Sequence, residues 1–466
     1  MRLPGHEESY NPPPEYLFTE KEKEMWEKQS DEPFKRKLPF VPQKYSSLRN
    51  VPAFKNFIAE RFERCLDLYL APRARKMRLT IQPEDLVPQL PKPQDLQPFP
   101  QVCALTFKGH KNMVRTISVE PKGQFAASGS DDGTVRIWEI QTGYCIKKFN
   151  FGKVVHSVAW CPNNALSLVA VAVENRVVLL NAGVGDKVVV QQTEDLLRDA
   201  PEDSGYIPPE RVKNAVTWMT GSEARKAANI PLPAGSREDP PLIPREALVV
   251  LKLFRQTKQV TWHAKGDYFA TVCPDGANRA VLIHQLSKWR SQVPFSKAKG
   301  LVQCVLFHPV KPYLFVATQR HVRIYNLTKL ELTKKLMTGA KWISSMAIHS
   351  HGDNVLVGTY DKRVQWFDLD LSTNPYQVLR YHTNAVRSVA YHSRYPLFAS
   401  CGDDVNIVVS HGMVYNDLLT NPLIVPVKQL RGHTRYDDFG VMNVTWHPTQ
   451  PWLLSGGADG YIKLWT

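Results

Sequence analysis

The sequence predicts an all-β fold: a seven-bladed β-propeller preceded by a proline-rich, mostly extended arm with short helices. Three observations carry the prediction. The stretch from Gly109 to Ile140 reads as short strands separated by tight turns. The stretch from Gly432 to Thr466 repeats its pattern at the other end of the chain. Between the two, one strand position recurs mostly at intervals of about 41 to 43 residues, the pitch of a propeller blade, with longer intervals from Leu180 to His284 and before Trp465 where insertions fall.

Within the first copy, the alternation of Val114, Ile117 and Val119 marks a strand with one buried face. Pro121-Lys122-Gly123 makes a turn, Phe125 to Ser128 a second strand, Ser130 to Gly133 a tight turn, and Thr134 to Trp138 a third strand. Asp132 in the turn is placed to accept from His110, His110 to reach Ser128, and Trp138 to keep water from the network. His433, Ser455, Asp459 and Trp465 take the same places in the last copy. This is the signature of a WD repeat, so all eight residues are assigned to blade structure and not to catalysis.

The position of Trp138 recurs as Leu180, His284, Tyr325, Phe367, Ser410 and Trp465, which makes seven blades. The sixth keeps His382, Ser400 and Asp404 but has Ser410 for the tryptophan. First strands recur at Val155 to Trp160, Gln259 to Trp262, Gln303 to Pro309, Ser344 to His349 and Val386 to Tyr391. A last blade ending at Thr466 has three strands of its own. The stretch from Val102 to Phe107 is the expected fourth, joining the two ends and removing an open edge.

Residues 1–100 hold 15 of the 35 prolines and cannot pair as inner strands. Two helices are expected here. One runs from Glu20 to Gln29, capped by Thr19, with Met25 and Trp26 as its apolar contact. The other runs from Ala53 to Leu70, where Phe54, Phe57, Ile58, Phe62, Leu66 and Leu70 form a stripe suited to burial against a protein surface. Residues 35–78 carry twelve Lys/Arg against three Asp/Glu. Lys35, Arg36, Lys37, Arg73, Arg75, Lys76 and Arg78 are therefore candidates for contact with RNA or a partner. A nuclear-import address is a competing reading of the same clusters.

The propeller spans 101–466, with an insertion at about 184–244 in the second blade. No convincing strand pattern lies between Asp186 and Arg245, so the insertion is expected to be either disordered or a partner-binding extension. Blades three to six are taken to carry the excess of positive charge, Lys252 and Lys258 included. Arg255, Lys341, Trp342, Arg387, Arg435 and Tyr436 are candidates for a partner surface, because arginine beside exposed aromatics suits an interaction edge.

The formal net charge of +15 favours an acidic partner, most often nucleic acid. The seven cysteines are scattered and lack metal-ligand spacing, which fits reduced core residues. The pairs Asp131-Asp132 and Asp403-Asp404 fall in blade turns, and no phosphate-loop, zincin or nucleophile-elbow motif occurs. No metal, cofactor, membrane span or enzymatic activity is expected.

Three stretches go beyond a generic propeller: LPGHEESYNPPPEYL from Leu3 to Leu17, VPAFKNFIAERFERCLDLYLAPRARKMR from Val51 to Arg78, and LPKPQDLQPFP from Leu90 to Pro100. Leading into a basic seven-bladed propeller, they resemble the ribosome-biogenesis factors of the block of proliferation family, over essentially the whole chain. The resemblance implies a non-catalytic scaffold of the nucleolus and nucleoplasm. Such a scaffold serves the large (60S) subunit and pre-rRNA maturation toward 28S and 5.8S rRNA. It also implies the partners of the PeBoW complex: pescadillo and a second WD-repeat protein with a ubiquitin-like domain, together with pre-rRNA on the pre-60S particle. In the family the propeller docks the second WD-repeat protein, and the N-terminal region contacts pescadillo and pre-rRNA. The family's longer acidic and basic N-terminal part is missing here, which weakens the expectation of pescadillo binding most. The alternative from the residues alone is an adaptor whose central opening reads a peptide or acidic tail without binding RNA.

Overall fold

The computed structural model describes residues 5, 7–30, 33–36, 38–52, 54–72, 91–198, 209–228, 242–295, 300–415 and 422–466. The chain falls into two units, Met1–Gln89 and Leu90–Thr466.

In the first unit, helix α1 (Glu20–Lys28) starts where the sequence places it. The backbone N–H and the hydroxyl of Thr19 both donate to Glu22 Oε2, each at 2.8 Å, which satisfies groups otherwise orphaned at a helix start. Trp26 Nε1 donates to Leu38 O at 3.0 Å, and the Arg36 guanidinium lies 3.9 Å over its ring. Met25 does not share this contact and is 55% exposed. Adjacent residues on a helix point about 100° apart, so only one of the pair can face the docking side. Helix α2 (Phe54–Leu70) carries the expected stripe, but Phe57, Ile58, Phe62, Leu66 and Leu70 are exposed rather than buried against a surface of this chain.

The second unit contains seven antiparallel sheets, six of four strands and one of five. Blade one is Val114–Val119, Phe125–Ser130, Thr134–Glu139 and Cys145–Asn150. The cross-strand registers reproduce the repeat read from the sequence. Trp138 pairs Ala126, Leu180 pairs Val169, His284 pairs Phe269, Tyr325 pairs Leu314, Phe367 pairs Val355, Ser410 pairs Phe398 and Trp465 pairs Leu453. Inner strands pack on one another in sequence order, and the seventh returns to the first. Side chains lace them together: Thr116 Oγ1 accepts from the Val158 N–H at 3.1 Å, Gln259 Oε1 from Val305 at 2.9 Å, and Asn443 Oδ1 from Ile117 at 3.3 Å. Between blades lie the fully buried apolar residues, among them Phe107, Trp138, Phe269, Phe315 and Trp366.

The ring closes as expected. Cys103–Phe107 runs antiparallel to Ile462–Trp465, and Val102 and Thr466 exchange backbone hydrogen bonds of 3.0 and 3.1 Å. The first and last strands of the propeller are thereby paired within one sheet.

The insertion departs from expectation. It supplies helices α3 (Lys187–Arg198), α4 (Glu210–Lys213) and α5 (Gly221–Ala228) and a fifth strand, Val216–Thr220. That strand pairs the outer strand Ala247–Leu253, so blade two gains an edge. The strand is five residues long and half-buried, too short for its alternation to stand out from helical neighbours. Residues 199–208 and 229–241 lie outside the described residues. Lys252, grouped with blades three to six by its sequence position, lies on this outer strand of blade two. The cysteines also divide: Cys161, Cys273, Cys304 and Cys401 are buried, whereas Cys65 and Cys103 are exposed rather than core residues.

Candidate functional site

The first strand of every blade starts at the same face, where the connection from the previous outer strand arrives. In six blades the register slips by one residue near that start. The slips leave Arg115, His156, Gln303, Ser344, Arg387 and Met442 as the extra residues. A bulge of this kind re-aims a side chain out of the ladder. In blade three the equivalent residue is Lys258, just before the Gln259–Val272 pair. Seven bulge-position residues therefore ring one mouth of the axial channel.

Three of the seven are cations, Arg115, Lys258 and Arg387, and two of those are paired with aspartates. Arg115 binds Asp131 through Nε and through Nη2, the latter at 2.8 Å. Arg387 Nε lies 2.9 Å from both Asp403 oxygens, and its Nη2 lies 2.7 Å from Oδ2. Lys258 Nζ donates to the neutral Gln303 Oε1 at 2.7 Å. Its pKa is lowered, first by loss of solvent; Cys304 opposes the shift, and the charges of Arg115 and Arg387, from blades one and six, add to it. His156 is pushed down in the same way, by desolvation first and Arg115 next. An aromatic wall adjoins the ring. Arg387 lies 5.1 Å from the Tyr360 ring centroid and 4.9 Å from that of Phe439, and Trp342 meets Tyr360 edge-on at 6.5 Å.

The residues chosen from the sequence for a partner surface fall on this same face. Lys341, Trp342, Arg435 and Tyr436 lie on connections into first strands, Arg387 at the start of one, and Arg255 on the connection from blade two to three. Trp342 and Tyr436 are 43% and 54% exposed, which suits contact. Two of the cations are not free: Arg387 is held by Asp403, and Arg435 Nη2 by Asp438 at 2.8 Å. Trp342, Arg387 and the Arg435–Phe439 loop come together across blades five to seven, whereas Arg255 lies apart from them, near Lys258. Arg115, His156, Gln303 and Tyr360 were not singled out from the sequence, nor was Lys258 for this role. For Arg115, His156, Lys258 and Gln303 the signal was the residue after the first buried position of each first strand, a place that propensity does not mark, whereas Tyr360 follows a second strand. In the arm, Lys35 is exposed and Arg36 covers Trp26. Lys37, Arg73, Arg75, Lys76 and Arg78 lie outside the described residues.

The blade networks take the expected geometry. His110 Nδ1 lies 3.0 Å from Asp132 Oδ2, its Nε2 lies 2.8 Å from Ser128 Oγ, and Trp138 Nε1 donates to Ser128 Oγ at 2.8 Å. His433, Ser455, Asp459 and Trp465 reproduce it, with 3.0 Å, 2.7 Å and 2.8 Å for the same contacts. In blade six His382 still bridges Asp404 and Ser400, at 3.0 and 2.8 Å, without a tryptophan. Among the described residues no cluster of three or more His, Cys, Asp or Glu could hold a metal ion, and no helix is long and apolar enough to cross a membrane.

Residues 1–100 match the BOP1NT (NUC169) domain model, and residues 101–139, 331–368, 373–405 and 424–466 match the WD domain, G-beta repeat. Over 464 residues the chain is 58% identical to a protein of Drosophila willistoni and 59% identical to one of Drosophila ananassae, both called ribosome biogenesis protein BOP1 homolog. Along its whole length the chain is similar to proteins of the BOP1 family. A homologue of the same name from Aedes aegypti is 57% identical. All three alignments cover 100% of this chain but 58%, 56% and 52% of the relatives, so the chain spans little more than half their length.

Proposed function

We propose that this chain is a non-catalytic scaffold of ribosome biogenesis that acts in the nucleolus and nucleoplasm on the precursor of the large (60S) subunit. In this reading the propeller docks a second WD-repeat protein that carries a ubiquitin-like domain. The arm reaches toward pre-rRNA and pescadillo and promotes maturation toward 28S and 5.8S rRNA. The observation that carries the reading is the joining, in one chain, of an arm matching the BOP1NT model to a closed propeller. Its support from the site is a cationic, aromatic-flanked face on a rigid ring, the kind of surface that positions partners rather than transforms them.

The test is depletion of the native protein followed by complementation with this chain. The reading expects recovery of 60S subunits in sucrose gradients and a fall in precursors of 28S and 5.8S rRNA. Normal subunit ratios after depletion, or complementation by the arm without the propeller, contradict it.

A further inference from the structure

The residue that follows the first strand takes an equivalent place in every blade: Glu120, Cys161, His263, His308, His349, His392 and His447. They lie at the opposite end of the first strands from the bulge residues. Two of them, His392 and His447, span the two seams of blade seven, the blade that Cys103–Phe107 completes. His392 Nδ1 accepts the backbone N–H of Arg394 at 2.9 Å and of Tyr395 at 3.0 Å, and its Nε2 lies 2.9 Å from Gln450 O of blade seven. His447 Nδ1 accepts from the N–H of Thr449 at 3.2 Å and of Gln450 at 3.0 Å, and its Nε2 lies 2.9 Å from Gly123 O of blade one. The His447 ring fills the space that a Cβ would take at Gly123, whose φ of +80° also favours glycine.

This geometry fixes the protonation state. A ring nitrogen that accepts two N–H groups carries no proton, so each ring is neutral and donates its one proton, on Nε2, to the carbonyl of the next blade. A second proton would sit on Nδ1, face the same two N–H groups and break both bonds. Unlike His110, His382 and His433, neither ring pairs with a carboxylate among the described residues. His392 meets the rings of Tyr395 and Trp446, the charged groups acting on it are His447 and Arg394, and the blade-seven turn Pro448–Trp452 has no ionisable side chain. His447 meets the Trp452 ring and a blade-one turn that carries Glu120 and Lys122, of opposite charge. Both rings are almost fully buried, and burial holds both pKa values below the usual 6.5.

We propose that His392 and His447 form a proton-operated clasp on the closing blade: neutral, they bind blade seven to blades six and one, and protonated in mild acid they release this end of both seams. Other seam bonds involve no titrating group and stay: Trp446 Nε1 to Ala390 O at 3.1 Å, Ser393 Oγ to Pro448 O at 2.8 Å, and the Ile117 N–H to Asn443 Oδ1 at 3.3 Å. Opening is therefore local, and it loosens the one blade that joins the two ends of the propeller. Because both pKa values are depressed in the folded state, the clasp is complete above the unfolded value of 6.5 and is lost as pH falls from there. The device does not rest on the proposed role in ribosome biogenesis.

The experiment is hydrogen–deuterium exchange read by mass spectrometry on the full chain at about pH 7.5 and about pH 5, with rates corrected for the intrinsic effect of pH. The segments 392–395 and 447–450, which hold the amides that the rings accept from, are expected to lose protection about fivefold or more in acid. The matching turn of blade two, 161–168, is the internal control and is expected to stay within about twofold. It has Cys161, whose thiol donates to Gly266 O of blade three at 3.6 Å and whose pKa burial pushes up to about 11, outside the range tested. A double variant, His392→Gln with His447→Gln, keeps a donor and an acceptor at each place but takes up no proton, so the acid response should vanish from both segments. His392→Gln alone should remove the response from 392–395 and leave it at 447–450, and the control segment of the parent decides the matter where a variant does not fold. Equal protection of the parent at the two pH values, an equal loss in 161–168, or the same acid response in the double variant overturns the proposal.

Discussion

Trp218, on the fifth strand of blade two, donates its indole N–H to Ser291 Oγ on the outer strand of blade three at 2.9 Å. The same hydroxyl lies 2.8 Å from His284 Nδ1, and His284 Nε2 lies 2.9 Å from Thr271 Oγ1. His284 stands where blade one has Trp138, and Thr271 where it has Ser128. Blade three thus lacks the tryptophan-centred network and receives an indole from its neighbour instead. Trp218 also stacks on Trp289 at 5.7 Å. The insertion is therefore part of the ring's fabric.

Trp218→Ala is expected to lower stability by about 2–4 kcal/mol, since it removes a half-buried aromatic and takes one of two hydrogen-bond partners from Ser291 Oγ. Trp218→Phe keeps most of the packing and costs about 1–2 kcal/mol. Thermal unfolding of the two variants checks the order. Equal melting of Trp218→Ala and the parent contradicts a structural role for the added strand.

Acid should act on the blade networks. Burial alone would raise the pKa of Asp132, but hydrogen bonds from His110, Thr134 and the Lys111 N–H outweigh it and hold the carboxyl below its usual range. Asp404 and Asp459 are lowered in the same way, by His382 and His433 against the effect of burial. A carboxyl depressed in the folded state stabilises above its unfolded pKa, near 3.8, and that stability is lost as pH falls through the folded value. Asp132→Asn should therefore be less stable than the parent at neutral pH, by about 1–2 kcal/mol, and lose less on acidification below about pH 4. Urea unfolding at several pH values measures both.

His284 sets a second, higher window. Full burial pushes its pKa down from 6.5 to about 3, so the folded protein keeps it neutral while the unfolded chain takes up a proton. Stability from this group is complete above 6.5 and falls as pH drops from there toward 3. His284→Gln should flatten the pH dependence in that interval by up to one proton, ~1.4 kcal/mol per pH unit, and leave the steeper loss below pH 4 in place.

Removal of residues 1–107 takes away the strand that pairs Ile462–Trp465 and exposes one face of Trp138, on which Phe107 stacks at 5.6 Å. The truncated chain is expected to melt lower and to self-associate through its open edge, whereas removal of residues 1–100 leaves the ring closed. Light scattering and melting of the two truncations distinguish these outcomes.

The ring was legible because each blade repeats one alternation at one pitch, and because His110 and Asp132 advertise a turn that a period-two pattern then extends. Closure was legible from the missing fourth strand after Trp465. The strand at Val216 was not, since its register is set by the partner Ala247–Leu253 rather than by its own pattern. The site was half legible. Trp342, Arg435 and Tyr436 stand out by residue type, but Lys258 and Arg115 take their meaning from a bulge that depends on pairing across the sheet. Likewise, Arg387 read as a free charge because Asp403, which neutralises it, lies in the turn after the adjacent strand.

The most direct test of the scaffold account is a pull-down from nuclear extract with the full chain and with residues 101–466, each with and without ribonuclease. The account predicts that both forms recover a second WD-repeat protein despite ribonuclease, and that precursor rRNA is recovered better by the full chain. Loss of every protein partner on ribonuclease treatment would contradict it, because the propeller would then bind RNA first and proteins through it.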